Sequence, residues 1–315
     1  MNFQEKFVRN VRLYFREVGE KWLEELPTLL EYCEGKWGLT MKNPYELSIN
    51  YVAPAIRSDG SEVVVKIGLP GVEFNYEHDA LIMLDSSGVV RLIDADRDHG
   101  VLILEKVSPG TMLAELEKED KVCQIASEVM KGLITPASEG MNLPSTKDRE
   151  AELALICKDH PNQFGPFLTQ TLKRALAVFT YMNKTMVDPK LLHGDFHHYN
   201  VLSNGHESWI AIDPKGLIGE VEYDLIQFLM NCLPKDGVFE VIESRVEKFT
   251  KELDLDLHRL LLWGYAHSVL SSVWTVDEKT GDYNKVFSQC PAIFEKLYQK
   301  EFQHTIVDFL EKRVP

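Results

Sequence analysis

Four residues separate Asp195 from Asn200 in the run Leu-Leu-His-Gly-Asp-Phe-His-His-Tyr-Asn-Val-Leu at 191–202, and Asp213 follows in Ile-Asp-Pro-Lys-Gly at 212–216. A carboxylate beside an alcohol can take its proton, while an amide oxygen and a second carboxylate are the hard oxygen donors that Mg2+ prefers. That order suits a phosphoryl-transfer site. A single acidic turn between two short strands would be weak evidence; the ordered set of three is strong.

The elements that must position these groups begin upstream. Two apolar runs, 48–57 and 62–68, flank the turn Ser58-Asp59-Gly60-Ser61, a hairpin signal. In the second run Val63, Val65 and Ile67 share one face, which leaves Val64 and Lys66 on the other, where a nucleotide would lie. Residues 89–96 and 100–107 read as two more strands, giving a five-stranded antiparallel sheet. If a nucleotide lies on this sheet, segment 104–107 would be the hinge beside it, with the Glu105 carbonyl and the Val107 amide toward the adenine edge. Before the sheet, 3–18 has helical spacing, and after Gly19 the stretch 21–35, interrupted by Pro27, continues as one more helix or a broken pair. Ser108-Pro109-Gly110-Thr111 marks a boundary between domains 1–107 and 108–315. Beyond it, 113–133 and 164–186 read as helices separated by a polar loop. The last third, 238–313, is helical, with 260–274 apolar nearly all round and hence buried.

Asp195, Asn200 and Asp213 follow the order of base, metal ligand and metal ligand in protein kinases. His-Gly-Asp in place of His-Arg-Asp, and Ile-Asp-Pro-Lys-Gly in place of Asp-Phe-Gly, resemble the aminoglycoside phosphotransferase family. Segment 19–40 resembles the opening of its streptomycin 6-phosphotransferase and hydroxyurea phosphotransferase branch. The resemblance runs from 19 to about 274. It implies an α+β, bilobal, protein-kinase-like fold with a small antiparallel β-sheet N-lobe and a mainly helical C-lobe. It also implies transfer of the γ phosphoryl of a magnesium nucleotide, ATP or alternatively GTP, to a hydroxyl of a small molecule.

On this resemblance Asp195 deprotonates the acceptor, Asn200 and Asp213 hold Mg2+, and Lys66 neutralises the nucleotide phosphates, held by Glu77 with Glu73 and Asp79 nearby. His193 braces the loop backbone and Asp224 supports it. Lys215 touches the γ phosphate or pairs with a carboxylate. Glu220, Glu222, Asp277 and Glu278 are acceptor contacts. Segment 41–50 carries no glycine, where a protein kinase has Gly-x-Gly-x-x-Gly. The first acceptor class is a cationic aminoglycoside such as streptomycin, and the second is hydroxyurea or a metabolic alcohol. The rival from another class is a catalytically idle nucleotide-binding protein, against which the retained Lys66, Asp195, Asn200 and Asp213 count.

A net charge of -15, from 34 basic and 49 acidic residues, argues against a nucleic-acid partner and favours a cationic one. Five scattered cysteines without a Cys-x-x-Cys pair indicate neither a disulfide framework nor a zinc cage, and fit a reducing cytoplasm. Adjacent His197 and His198, without a third nitrogen or sulfur ligand at suitable spacing, do not make a zinc site. No apolar run is long enough to span a bilayer, so no membrane partner is expected. There is no internal repeat or heptad seam, and the oligomeric state is not readable.

Overall fold

The computed structural model describes residues 3–84, 88–138, 140–205 and 207–313. The chain divides into two compact units, one of Met1–Thr111 with Leu202–Lys215 and one of Met112–Val201 with Gly216–Pro315.

The first unit opens with α1 (Glu5–Trp37), which is two helical segments joined at Arg16, where φ is 51° and ψ is -128°. Of the two readings for 21–35, one more helix or a broken pair, the structure has one helix that runs on through Pro27, and the break lies eleven residues earlier for a geometric reason. On a straight helix Phe7 and Trp22 would be about 22 Å apart, yet their rings meet at 6.0 Å. The chain therefore reverses between them, and both segments bury apolar residues on the same core. Pro27 removes one helical hydrogen bond but leaves Trp22, Leu23, Leu26, Leu30 and Cys33 on one buried face.

That face packs on a sheet made of β1 (Leu39–Met41), β2 (Tyr51–Arg57), β3 (Glu62–Ile67), and, after α2 (Val72–Met83), β4 (Leu92–Asp96) and β5 (Val101–Glu105). The order is β1-β2-β3-β5-β4, antiparallel throughout. Val63, Val65 and Ile67 point into the core, and Lys66 pairs in register with Val52 and Leu102 on the two neighbouring strands. The strand expected over 89–96 starts only at Leu92. Val89 and Val90 instead join the returning segment: the Val90 amide donates to the Ala211 carbonyl at 2.8 Å, and the Ala211 amide to that of Gly88 at 2.8 Å.

The second unit runs through α3 (Glu119–Leu133), β6 (Thr135–Pro136), α4 (Thr146–Asp159), the small hairpin β7 (Gln163–Phe164) and β8 (Phe167–Leu168), α5 (Thr169–Thr185) and β9 (Lys190–Leu192). Helix α4 lies in the segment read from sequence as a polar loop. Its start is fixed by a capping box in which the Ser145 amide donates to Asp148 at 2.7 Å. Only Thr146, Leu153 and Cys157 of this helix are buried, too few to give a strong apolar period.

After β9, the strands β10 (Val201–Ser203) and β11 (Trp209–Ala211) form a hairpin, and β12 (Leu217–Gly219) pairs antiparallel with β9. The rest is helical: α6 (Val221–Asp224), α7 (Ile226–Met230), α8 (Val238–Leu253), α9 (Leu257–Trp274), α10 (Lys285–Phe302) and α11 (Ile306–Arg313). Every residue of α9 from Leu260 to Val273 is buried, while Trp274, expected inside, is 40% exposed. Among the described residues no helix is long and apolar enough to cross a membrane.

Helix α10 lies close on α9 because Gly264 has no side chain; a Cβ there would fall on the Phe294 ring. Gly264→Ala is therefore expected to destabilise the protein by about 1–3 kcal/mol, the usual cost of overpacking a filled core. Urea denaturation reads this, and an unchanged midpoint would remove the contact from the packing of α9.

Candidate active site

In the first unit the strand alternation that sends Val63, Val65 and Ile67 inward turns Lys66 to the opposite face, where it is still only 6% exposed. A buried ammonium must be paired. Its Nζ donates to Glu77 Oε1 at 2.5 Å and also to Asp213 Oδ1. Glu77 is on the inner face of α2 with Phe74, Ala80 and Leu81. Glu73 is exposed, and Asp79 accepts from Arg97 at 3.2 Å and lies 2.9 Å from His78 Nδ1.

Asp213 itself has φ +61°, a left-handed conformation that costs a non-glycine residue roughly 1–2 kcal/mol. Lys215 Nζ reaches the same oxygen, Oδ1, at 2.8 Å. Burial would raise the Asp213 carboxyl, but the ammonium groups of Lys215 and Lys66 overcome it and hold the group well below the usual carboxylate range. Burial pushes Glu77 upward against the pull of Lys66. Both lysines converge on Oδ1, and none of the hydrogen bonds among the described residues uses Asp213 Oδ2.

Two further parts of this unit bear on a nucleotide. The Glu105 amide is used within the sheet, donating to the Arg91 carbonyl at 3.0 Å, whereas no hydrogen bond among the described residues uses the Val107 amide. The glycine-free segment 42–50 is anchored by side chains of the N-terminal region. Gln4 donates to the Tyr45 carbonyl at 2.7 Å and accepts from the Leu47 amide at 2.9 Å, and Asn10 donates to the Ser48 carbonyl at 3.2 Å. Sequence reading missed these anchors; the only signal was polar residues beside apolar ones on the helix.

The second unit holds the loop between β9 and β10. Gly194 has φ +83°, which explains a glycine between His193 and Asp195. Asp224, 4% exposed, accepts from the His193 amide through Oδ2 and the Gly194 amide through Oδ1, both at 2.8 Å. Burial pushes the Asp224 carboxyl up to about 7, opposed by these two amides and assisted by the charge of Asp195. The His193 ring, fully buried, accepts from the Asp195 amide through Nδ1 at 3.3 Å. Asn200 donates from Nδ2 to the Asp195 carbonyl at 3.0 Å, so its Oδ1 is the oxygen left to bind a cation. The Asp195 side chain is 29% exposed. His198 stacks on Phe228 at 3.8 Å and burial drives it down to about 3, so it is neutral at physiological pH.

Taken singly, the amide oxygen of Asn200 and the carboxylate of Asp213 are each hard oxygen donors of the kind Mg2+ binds. No group of three or more His, Cys, Asp or Glu side chains placed to hold a metal occurs among the described residues. Of the acidic residues proposed for acceptor binding, Glu220 is engaged inside its unit, accepting from Arg259 Nε at 2.7 Å and Trp263 Nε1 at 2.8 Å. Glu222 accepts from the Asp256 amide at 3.2 Å, and burial raises its carboxyl. Asp277 caps a turn through the Lys279 amide at 2.8 Å, and Glu278 is exposed.

A family model described as aminoglycoside/hydroxyurea antibiotic resistance kinase matches residues 44–279. The chain is 27% identical over 273 residues to streptomycin 6-kinase of Streptomyces glaucescens, covering 84% of this chain and 87% of that protein. It is 28% identical over 270 residues to hydroxyurea phosphotransferase of Kitasatospora aureofaciens, covering 84% and 77%. Among solved structures, a choline/ethanolamine kinase family protein from Mesorhizobium loti superposes with a TM-score of 0.64 at 14% identity, covering 90% of this chain and 98% of that one. An aminoglycoside phosphotransferase in ternary complex with ADP and hygromycin B gives 0.58 at 15% identity, covering 84% and 97%. These likenesses establish the kinase-like fold.

Asp224→Asn leaves one loop amide facing an NH2 group, which costs about 1–3 kcal/mol. Its pH dependence has a definite sign. The folded carboxyl is raised to about 7, against about 3.9 in the unfolded chain. The stability that protonated Asp224 lends is fully present below the unfolded value and is lost as pH rises through the folded one. The wild-type advantage over Asp224→Asn in urea midpoint is therefore larger at pH 5 than at pH 8; an advantage that grows with pH would contradict the burial of this group.

Proposed function

The chain belongs to the aminoglycoside/hydroxyurea antibiotic resistance kinase family, and on that premise we propose that it transfers the γ phosphoryl of magnesium ATP to a hydroxyl of a cationic, streptomycin-like aminoglycoside, and so confers resistance. GTP is the alternative donor and hydroxyurea the alternative acceptor. The observation that carries the reading is Lys66, a buried ammonium held between Glu77 and Asp213. Such a cation is fixed in place for the α and β phosphates.

In this reading residues 1–107 form the nucleotide-binding lobe and 108–315 the lobe that carries the catalytic loop and the acceptor site. The Glu105 carbonyl and Val107 amide meet the adenine edge. Asp195 accepts the proton of the acceptor hydroxyl as its oxygen bonds to the γ phosphorus; the bond from phosphorus to the bridging oxygen breaks, and ADP leaves with that electron pair. Asn200 and Asp213 would hold Mg2+, which neutralises charge on the β and γ phosphates when bound. His193 and Asp224 keep the loop backbone rigid so that Asp195 needs no reorganisation. The acidic surface draws in a cationic acceptor, with Glu222, Asp277 and Glu278 as contacts; Glu220 serves mainly to fix Arg259 and Trp263 on α9. The cytoplasm, with its ATP and reduced thiols, is the expected compartment.

The test is product formation from magnesium ATP with streptomycin, other aminocyclitols and hydroxyurea, read by mass spectrometry. Asp195→Ala is expected to lower turnover by about 10²–10⁴-fold with nucleotide affinity unchanged. Equal turnover in the variant would remove Asp195 from the role of base, and nucleotide binding without transfer to any acceptor would favour a sensor.

A further inference from the structure

His197 is among the loop side chains that the mechanism above does not use. His197 Nδ1 lies 3.3 Å from the Tyr199 backbone amide. A backbone N–H only donates, so Nδ1 is the acceptor and the neutral ring must carry its proton on Nε2. That Nε2–H lies 3.6 Å from Asp195 Oδ1. Asn200 Nδ2 lies 3.3 Å from the same nitrogen and has a second N–H besides the one it gives the Asp195 carbonyl, but that N–H suits only the other tautomer, which would turn a ring N–H against the Tyr199 backbone amide. The imidazole is thus fixed at one nitrogen by the turn and presents the other to the carboxylate. The side chain is 19% exposed, so it is neither packed away in the core nor free in solvent.

We propose that His197 is a positioning residue for Asp195, its Nε2–H holding Oδ1 so that Oδ2 is left to receive the acceptor proton. The separation of 3.6 Å is longer than a hydrogen bond, and contacts of this kind shorten when substrates fill the site. Three features of the loop converge on this arrangement. The 3-10 turn at His198–Asn200 directs the Tyr199 amide at the ring. Asn200, on the same turn, ties the Asp195 backbone. Asp224 prevents the loop from shifting away. A carboxylate free to rotate would present its lone pairs to the hydroxyl only part of the time; a second donor on Oδ1 removes that freedom. This inference rests on the kinase reading.

The experiment compares wild type, His197→Leu, His197→Gln, Asp195→Asn and the double variant His197→Leu with Asp195→Asn. ADP formation from magnesium ATP is followed with streptomycin and with water as acceptor, and thermal melts verify folding. His197→Leu is expected to lower kcat by roughly tenfold to a hundredfold, the effect of misplacing a catalytic group by about 1 Å, with KM for ATP unchanged. His197→Gln, which restores an N–H donor, should recover most of that loss. In the Asp195→Asn background the leucine substitution should have no further effect, because the two groups act as one unit. A kcat for folded His197→Leu within twofold of wild type overturns the proposal, as does a glutamine variant no better than leucine, or losses that multiply in the double variant. Wild-type turnover by Asp195→Asn, or a wild-type protein that forms no ADP, instead overturns the kinase reading on which the proposal rests.

Discussion

A buried ammonium cannot stand alone, and Lys66 meets that constraint with two carboxylates from distant parts of the chain. Glu77 comes from α2, and Asp213 comes from the segment that returns to the first unit after 201. The pairing joins β3, the neighbouring helix and the returning segment in one place. Removing one partner of such a buried pair typically costs about 3–5 kcal/mol, because the remaining charge is left uncompensated. The left-handed backbone at Asp213 is a second cost at the same point. Local strain of this kind persists only where surrounding structure holds it, and it gathers at functional sites.

The second unit solves a different problem with the same kind of chemistry. The loop between β9 and β10 has backbone amides with no regular secondary structure to accept them, and Asp224 takes two of them at once. His193 takes the third from within the loop, at the Asp195 amide. The loop is held by these hydrogen bonds together with the packing of His193, Phe196 and His198, while the Asp195 carboxylate remains partly open to solvent. Glycine at 194 follows from the backbone conformation, so the His-Gly-Asp order has a conformational cause as well as a chemical one.

Legibility from sequence followed the range of the interactions involved. The two-residue period of β3 was enough to separate Lys66 from Val63, Val65 and Ile67, and the Asp-Gly turn was enough to define its hairpin. Interactions decided by distant partners were not readable. The break in α1 depends on Phe7 meeting Trp22, and the late start of β4 depends on Ala211 taking the backbone of Val89 and Val90. Helix α4 was hidden because it buries little. The roles of Gln4 and Asn10, which hold the glycine-free segment through its carbonyls, need the fold to be seen. Nor was it readable that Arg259 and Trp263 donate to the carboxylate of Glu220, which the sequence offered as an acceptor contact.

The most direct measurement is the affinity for magnesium ATP of wild type and Lys66→Met by isothermal titration calorimetry, with urea midpoints to verify that both are folded. If the Lys66 ammonium is held for nucleotide phosphates, the methionine variant binds at least about tenfold more weakly, the equivalent of one charge-assisted hydrogen bond. Equal affinity in the folded variant would contradict it, and would leave the ion pairs with Glu77 and Asp213 as elements of stability alone.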